Sequence, residues 1–298
     1  MKYAVALVSS LLLVLALGVS SGSAQASRSR GSADASAPTD ACGVRPQKPD
    51  GSYWSCTFHD EFNGTHLDNS KWMPQTRYVS GSRDAHACYT DSARNVSESG
   101  GSLNLTIRRE DSPIFCAKKK LGSTADYSSG SVMGYHRWSQ EYGRFEARIK
   151  AAPTSEPGLQ ETWWLWPDER YDNSVLRFWP AAGEFDISET YSMLPGLSIP
   201  YLHYTLNDNG GAKPGINTSY TCKAQRGEWN TYALTWSPDR IAIATNGKTC
   251  LVNTSGNPAF KKRYIMAFTQ ALGHGKNAPT SKTPFPATMK VDWVRVWK

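Results

Sequence analysis

Three carboxylates fall within six residues of the stretch Gly183-Glu184-Phe185-Asp186-Ile187-Ser188-Glu189-Thr190-Tyr191, where apolar Phe185 and Ile187 alternate with the acids as in a strand. Strand side chains alternate faces, so Glu184 and Asp186 share one face while Glu189, five residues past Glu184, takes the other. A regular strand therefore cannot use all three. One extra residue at Ile187 or Ser188, forming a β-bulge, would return Glu189 to the shared face, and bulges concentrate beside active sites. The Cα atoms of Glu184 and Glu189 would then lie roughly 13 Å apart, close enough for long side chains to lean together. Two carboxyls about 5 to 5.5 Å apart can act as nucleophile and general acid on a glycosidic bond with retention of configuration. Clustered carboxylates cannot all ionise cheaply, so one pKa rises into the range a general acid needs. The competing interpretation is a solvated acidic strand edge.

The elements that must hold this row read as β-structure throughout. Leu103, Leu105 and Ile107 recur at period two after Gly100-Gly101, and Tyr142–Lys150 alternates apolar with charged residues. The latter pattern puts Arg144, Glu146, Arg148 and Lys150 on one wet face, as cross-strand pairs. Asn246-Gly247 is a type I′ turn signal joining Arg240–Thr245 to the next strand. Ser128–Tyr135, Ile199–Thr205 and Tyr264–Leu272 are further strand candidates, the last strongly apolar apart from Gln270. Many short strands with no sustained helical period argue an all-β fold, an antiparallel β-sandwich.

Lys2, the apolar run Ala4–Leu17 and Ser-Ala-Gln-Ala ending at Ala26 predict a secretory signal over residues 1–26; an uncleaved membrane anchor is the lesser reading. Residues 27–41, rich in Ser, Ala, Arg and Pro, predict a flexible leader, which leaves 42–298 as one domain. Six cysteines in an exported chain fit three disulfides. Fifteen pairings are possible, and proximity favours Cys42–Cys56, Cys88–Cys116 and Cys222–Cys250. The formal charge of +7 admits nucleic acid, an anionic polysaccharide or mere solubility. Its dense runs, Lys118-Lys119-Lys120 and Lys261-Lys262-Arg263, lack a groove-like aromatic context and read as solvated loops, so no nucleic-acid partner is expected.

Several strings of identities go beyond periodicity: Asp60-Glu61-Phe62 with Leu67-Asp68-Asn69-Ser70-Lys71-Trp72, the stretch Tyr142–Lys150, Tyr232-Ala233 with Trp236-Ser237-Pro238, the closing Val291-Asp292-Trp293, and Glu184-Phe185-Asp186-Ile187-Ser188-Glu189 itself. Together they resemble glycoside hydrolase family 16 over residues 52–298, in its bulged, laminarinase-like form. The resemblance implies a jelly roll with a concave cleft for a polymer. It makes Glu184 the nucleophile, Glu189 the acid/base and Asp186 the residue managing the proton between them. It puts Trp164 on a tryptophan of the family motif and His203 on a histidine that faces the cleft; Trp179, just upstream of the acids, is a second candidate sugar platform, and Gln270 a candidate cleft hydrogen-bonder. No cofactor is required, although Glu61 and Asp292 match positions that hold a structural calcium in many members. Gln160-Glu161 stands where members usually carry Trp-Pro, so a typical laminarinase substrate does not transfer.

The expectation is a secreted, monomeric, endo-acting retaining hydrolase of a β-linked polysaccharide, most simply β-1,3-glucan, with no membrane attachment after signal removal. The alternatives are a transglycosylase or galactan hydrolase on the same site, or a non-catalytic glycan-binding protein.

Overall fold

A computed structural model describes residues 37–116, 124–171, 178–205 and 211–298. The signal and leader segments up to residue 36 and the run Lys118-Lys119-Lys120 lie outside the described residues. Two sheets face each other as a β-sandwich of jelly-roll type. The smaller has six strands in the order Tyr201–His203, Glu184–Tyr191, Leu159–Pro167, Tyr264–Leu272, Ser131–Met133 and Met73–Pro74, every neighbour antiparallel.

The larger sheet is built around Ala287–Trp297, which pairs with Gly143–Lys150 along one edge and with Leu103–Phe115 and Cys56–Asp60 along the other. Asn230–Ser237, Arg240–Thr245 and Lys248–Asn253 continue it as an antiparallel meander. At its far side His86–Tyr89 runs parallel to Thr124–Ser129, a departure from the all-antiparallel expectation. The Asn246-Gly247 turn has the positive φ at both residues (50° and 76°) that a type I′ hairpin demands.

Alternation decides what lies between the sheets. Phe145, Ala147, Ile149, Leu234, Trp236, Val294 and Val296 of the larger sheet meet Trp163, Leu165, Phe185, Ile187, Leu202, Met266 and Phe268 of the smaller in one buried cluster. Burying each large side chain stabilises the fold by about 1.5–3 kcal/mol, so the two apolar faces hold the sheets together.

Three disulfides join Cys42 to Cys56, Cys88 to Cys116 and Cys222 to Cys250. The first ties a small ribbon, Thr39–Asp40 paired with Gly43–Val44, to the edge of the larger sheet. Among the described residues no helix is long and apolar enough to cross a membrane.

Two charge expectations change. Lys261-Lys262-Arg263 is not a solvated loop, because Lys262 is buried and Arg263 donates to Ser139 Oγ while its guanidinium lies 5.0 Å over the Tyr171 ring. Of the wet-face residues, Arg148 does pair across strands with Asp292, but Arg144 pairs with Glu146 on its own strand and Lys150 lies over the Trp229 ring.

Candidate active site

The acid strand is bulged at Ile187. Trp163 pairs with Ser188 and Trp164 with Asp186, which leaves Ile187 without a partner on the neighbouring strand. Phe185 and Ile187 are fully buried in the core. Glu184, Asp186 and Glu189 therefore all stand on the opposite, outward face. Gly183 sets the start of this row. Its φ is +90°, and a Cβ there would fall 2.1 Å from Tyr264 Oη, so only glycine lets the chain enter the strand against that tyrosine.

Each acid has its own partners. Trp179, joined to Pro180 by a cis peptide, donates its indole N–H to Glu184 Oε2 at 2.7 Å. Asp186 Oδ2 lies 3.2 Å from His203 Nε2, whose residue sits directly across from Glu184 on the edge strand. Glu189 Oε1 accepts from Gln160 Nε2 at 2.7 Å and from Tyr191 Oη at 2.9 Å.

The electrostatics follow from crowding. Burial, then the charge of Asp186, holds the Glu184 carboxyl well above its ordinary range, against the opposing influence of His203 and the Trp179 N–H. Asp186 is likewise pushed well up by burial and then by Glu189. Glu189 is raised by burial, while Tyr191, His203 and Gln160 pull it back. The trio thus retains protons at a pH where isolated carboxylates would have lost them. Tyr191, raised by burial and then by Glu189, stays a donor.

Parity along the next strand builds the surrounding surface. Gln160, Thr162, Trp164 and Trp166 face outward with the acids, whereas Trp163 and Leu165 join the core. Trp164 donates to Thr269 Oγ1 at 3.0 Å and meets Trp166 edge to face at 6.0 Å. Trp179 is half-exposed with its ring centroid 5.1 Å from that of His203, and Tyr201 stacks on His203 at 4.2 Å. Trp164, Trp179 and His203 are therefore gathered around the acid row.

Gln270 is not. It is fully buried opposite Glu161, on the core side of a strand whose Phe268 and Leu272 also point inward, so it cannot bond a ligand beside the acids. Its neighbour in register, Glu161, forms an inward ion pair. Arg226 Nη1 and Nη2 reach Glu161 Oε2 and Oε1 at 2.6 and 2.7 Å, and Thr190 Oγ1 donates to the same carboxylate at 2.9 Å. Tyr191 is a site residue the sequence reading missed, although parity with Glu189 was a signal for it, and the contact of Gln160 with Glu189 went unforeseen.

The calcium expectation does not fit the donors present. Both Glu61 oxygens accept from Arg295, at 2.9 and 2.8 Å, and Asp292 is engaged by Arg148. Among the described residues neither acid belongs to a group of three ligand side chains close enough to hold an ion. Glu184, Asp186 and His203 do form such a group, but it is the acid row itself.

Fold and site together define a carbohydrate-processing class, and comparison with known proteins agrees. The model of glycosyl hydrolases family 16 matches residues 82–295, and the chain belongs to that family. It is 30% identical over 269 residues to glucan endo-1,3-beta-glucosidase A1 of Niallia circulans, covering 81% of this chain and 37% of that protein. It is 25% identical over 252 residues to keratan-sulfate endo-1,4-beta-galactosidase of Sphingobacterium multivorum, covering 80% of this chain and 54% of that one. The chain thus spans only part of the length of these relatives. In structure, the catalytic domain of an endo-1,3-beta-glucanase from Thermotoga petrophila aligns with TM-score 0.67 over 82% of this chain and 98% of its own, at 20% identity, a likeness of fold.

Proposed function

We propose that this protein is an endo-acting, retaining hydrolase of a β-linked polysaccharide, with β-1,3-glucan as its substrate and export as its destination. The observation that carries the reading is the bulge at Ile187, which aligns three acids of raised pKa on one aromatic-lined face. The glucan assignment draws on the Niallia circulans relative, and export on the signal-like residues 1–26 and the three disulfides.

In the first step a Glu184 oxygen attacks the anomeric carbon as the glycosidic C–O bond breaks, and Glu189 gives its proton to the departing oxygen. The glycosyl ester on Glu184 then yields to water, whose proton Glu189 takes as the new C–O bond forms. Asp186, between them, holds the third proton position. His203 favours the charged form of Glu184 as the nucleophile ionises for attack, and Asp186 does not oppose that ionisation while it keeps its own proton.

Glu184→Gln keeps the shape of the side chain and removes the nucleophile. Turnover of laminarin is expected to fall about 10⁴-fold or more with the fold intact, and the wild type is expected to release β-anomers first by NMR. Undiminished turnover, or α-anomers, would exclude the reading. A galactan is the second reading of the same site, favoured by Gln160, a polar side chain where a sugar-stacking Trp is usual. A panel of laminarin, mixed-linkage glucan, agarose and carrageenan separates the two, and no reducing ends from any of them would mark a binding protein.

A further inference from the structure

Gln160 does more than replace a sugar platform. Its amide nitrogen lies 2.7 Å from Glu189 Oε1 and 3.3 Å from Tyr191 Oη, and Tyr191 Oη donates to the same Oε1. The contact is built in by register, because Gln160 pairs with Tyr191 and Thr162 with Glu189 across the two strands. On the reverse side Glu161 and Arg226 fasten Thr190, the residue after Glu189, so the backbone carrying the carboxylate is held from behind.

A carboxylate oxygen has two in-plane lone pairs, and Oε1 already accepts two hydrogen bonds. A proton placed on Oε1 would displace one of these donors, whereas Oε2 has no such competition from them. We propose that Gln160 is a positioning residue for the acid/base: with Tyr191 it commits Oε1 of Glu189 to accepting, so that Oε2 carries the proton to the glycosidic oxygen. The proposal rests on the assignment of Glu189 above.

It has a consequence in pH. Donors to a carboxylate favour its ionised form, so Gln160 and Tyr191 oppose the effect of burial on Glu189. The other groups facing Glu189 are Asp186 and Glu184 on its own strand and His203 on the edge strand, with Tyr220 beside Tyr191. None of these changes when Gln160 does. Removing the amide donor should raise the pKa of the acid, keep Glu189 protonated to higher pH, and move the alkaline limb of kcat/KM upward.

The test is Gln160→Met, of similar length but without the donor, assayed from pH 4 to 10 on the polysaccharide and on a dinitrophenyl glycoside of an oligosaccharide it yields. The alkaline limb on polysaccharide is expected to rise by about one pH unit, with kcat at the wild-type optimum down about tenfold. For the dinitrophenyl substrate, whose leaving group departs without a proton, kcat/KM ends at formation of the glycosyl ester and does not report Glu189 as a base, so it should fall clearly less than kcat/KM on the polysaccharide. Superposable pH profiles, or equal losses on the two substrates, would overturn the proposal and leave Gln160 as a sugar contact. Glu189→Gln is run beside it. If that variant still degrades polysaccharide, the assignment of the acid/base fails and takes this proposal with it; if it is inactive on polysaccharide while Gln160→Met matches wild type, only the role of Gln160 falls.

Discussion

Two groups of acids, one associated with each sheet, meet opposite treatment. On the larger sheet Glu146 and Asp292, and Glu61 just past its strand Cys56–Asp60, are each answered by a guanidinium, from Arg144, Arg148 and Arg295 respectively. On the smaller sheet Glu184, Asp186 and Glu189 have neutral donors and one histidine, and among the described residues no lysine or arginine forms an ion pair with them. The first arrangement neutralises charge and leaves nothing to react. The second leaves charge uncompensated in a crowded place, and proton affinity rises there, which is where acid–base chemistry is found. Glu161 shows that the smaller sheet is not simply short of cations: one residue along and facing inward, it is fully paired by Arg226. The difference is one of face, set by the alternation of a strand and its single bulge.

The sharpest way to break this comparison is to give the inner face the condition of the outer. Arg226→Met strands the Glu161 carboxylate at 2% side-chain exposure, and removing one partner of a buried pair costs about 3–5 kcal/mol. Urea unfolding should show that loss. The double variant Glu161→Leu with Arg226→Met, which leaves no orphaned charge, should recover most of it. If the double variant is as unstable as the single, the pair holds the strand by geometry and not by charge.

A smaller effect runs the other way on the acid row. Asp186 has its folded pKa raised, so the native state binds a proton that the unfolded state has released. Stability then declines as pH climbs above about 4, the unfolded value, and levels off only beyond the folded one. Asp186→Asn cannot ionise. It should match wild type below pH 4 and exceed it at pH 7 by about 1 kcal/mol or more, while turnover drops. Equal stability at pH 7 would mean that the crowding carries no cost.

How much of this was legible beforehand depends on whether a residue's face could be inferred from its neighbours. Around the acids, alternating Phe185 and Ile187 betrayed the core side, so the row and its bulge were readable. Trp163 was separable from Trp164 and Trp166 by the same parity. Gln270 was misplaced because Tyr264–Leu272 is buried at every position, and a strand apolar on both faces offers no alternation. Its orientation became defined only by register with Glu161. The arginines on Glu61 and Asp292 went unforeseen for a related reason: Arg295 and Arg148 reach the two acids across strand pairings that no local pattern records.

Those paired acids supply the mildest prediction, and its smallness is the point. Arg148 and Asp292 have side chains 38% and 28% exposed, so solvent screens the pair and its loss in Asp292→Asn should cost less than about 1 kcal/mol. The variant should keep the kcat/KM of the wild type, since Asp292 lies on the larger sheet, opposite to the acid row. Chelation by EDTA should leave the unfolding midpoint where it was, because arginine engages both Glu61 oxygens and Asp292 Oδ2. A midpoint that rises several degrees with calcium, and does so only while Asp292 is intact, would show that these carboxylates exchange a guanidinium for a cation. Glu61 and Asp292 would then hold uncompensated charge as well, and the contrast between the two groups of acids would be one of degree.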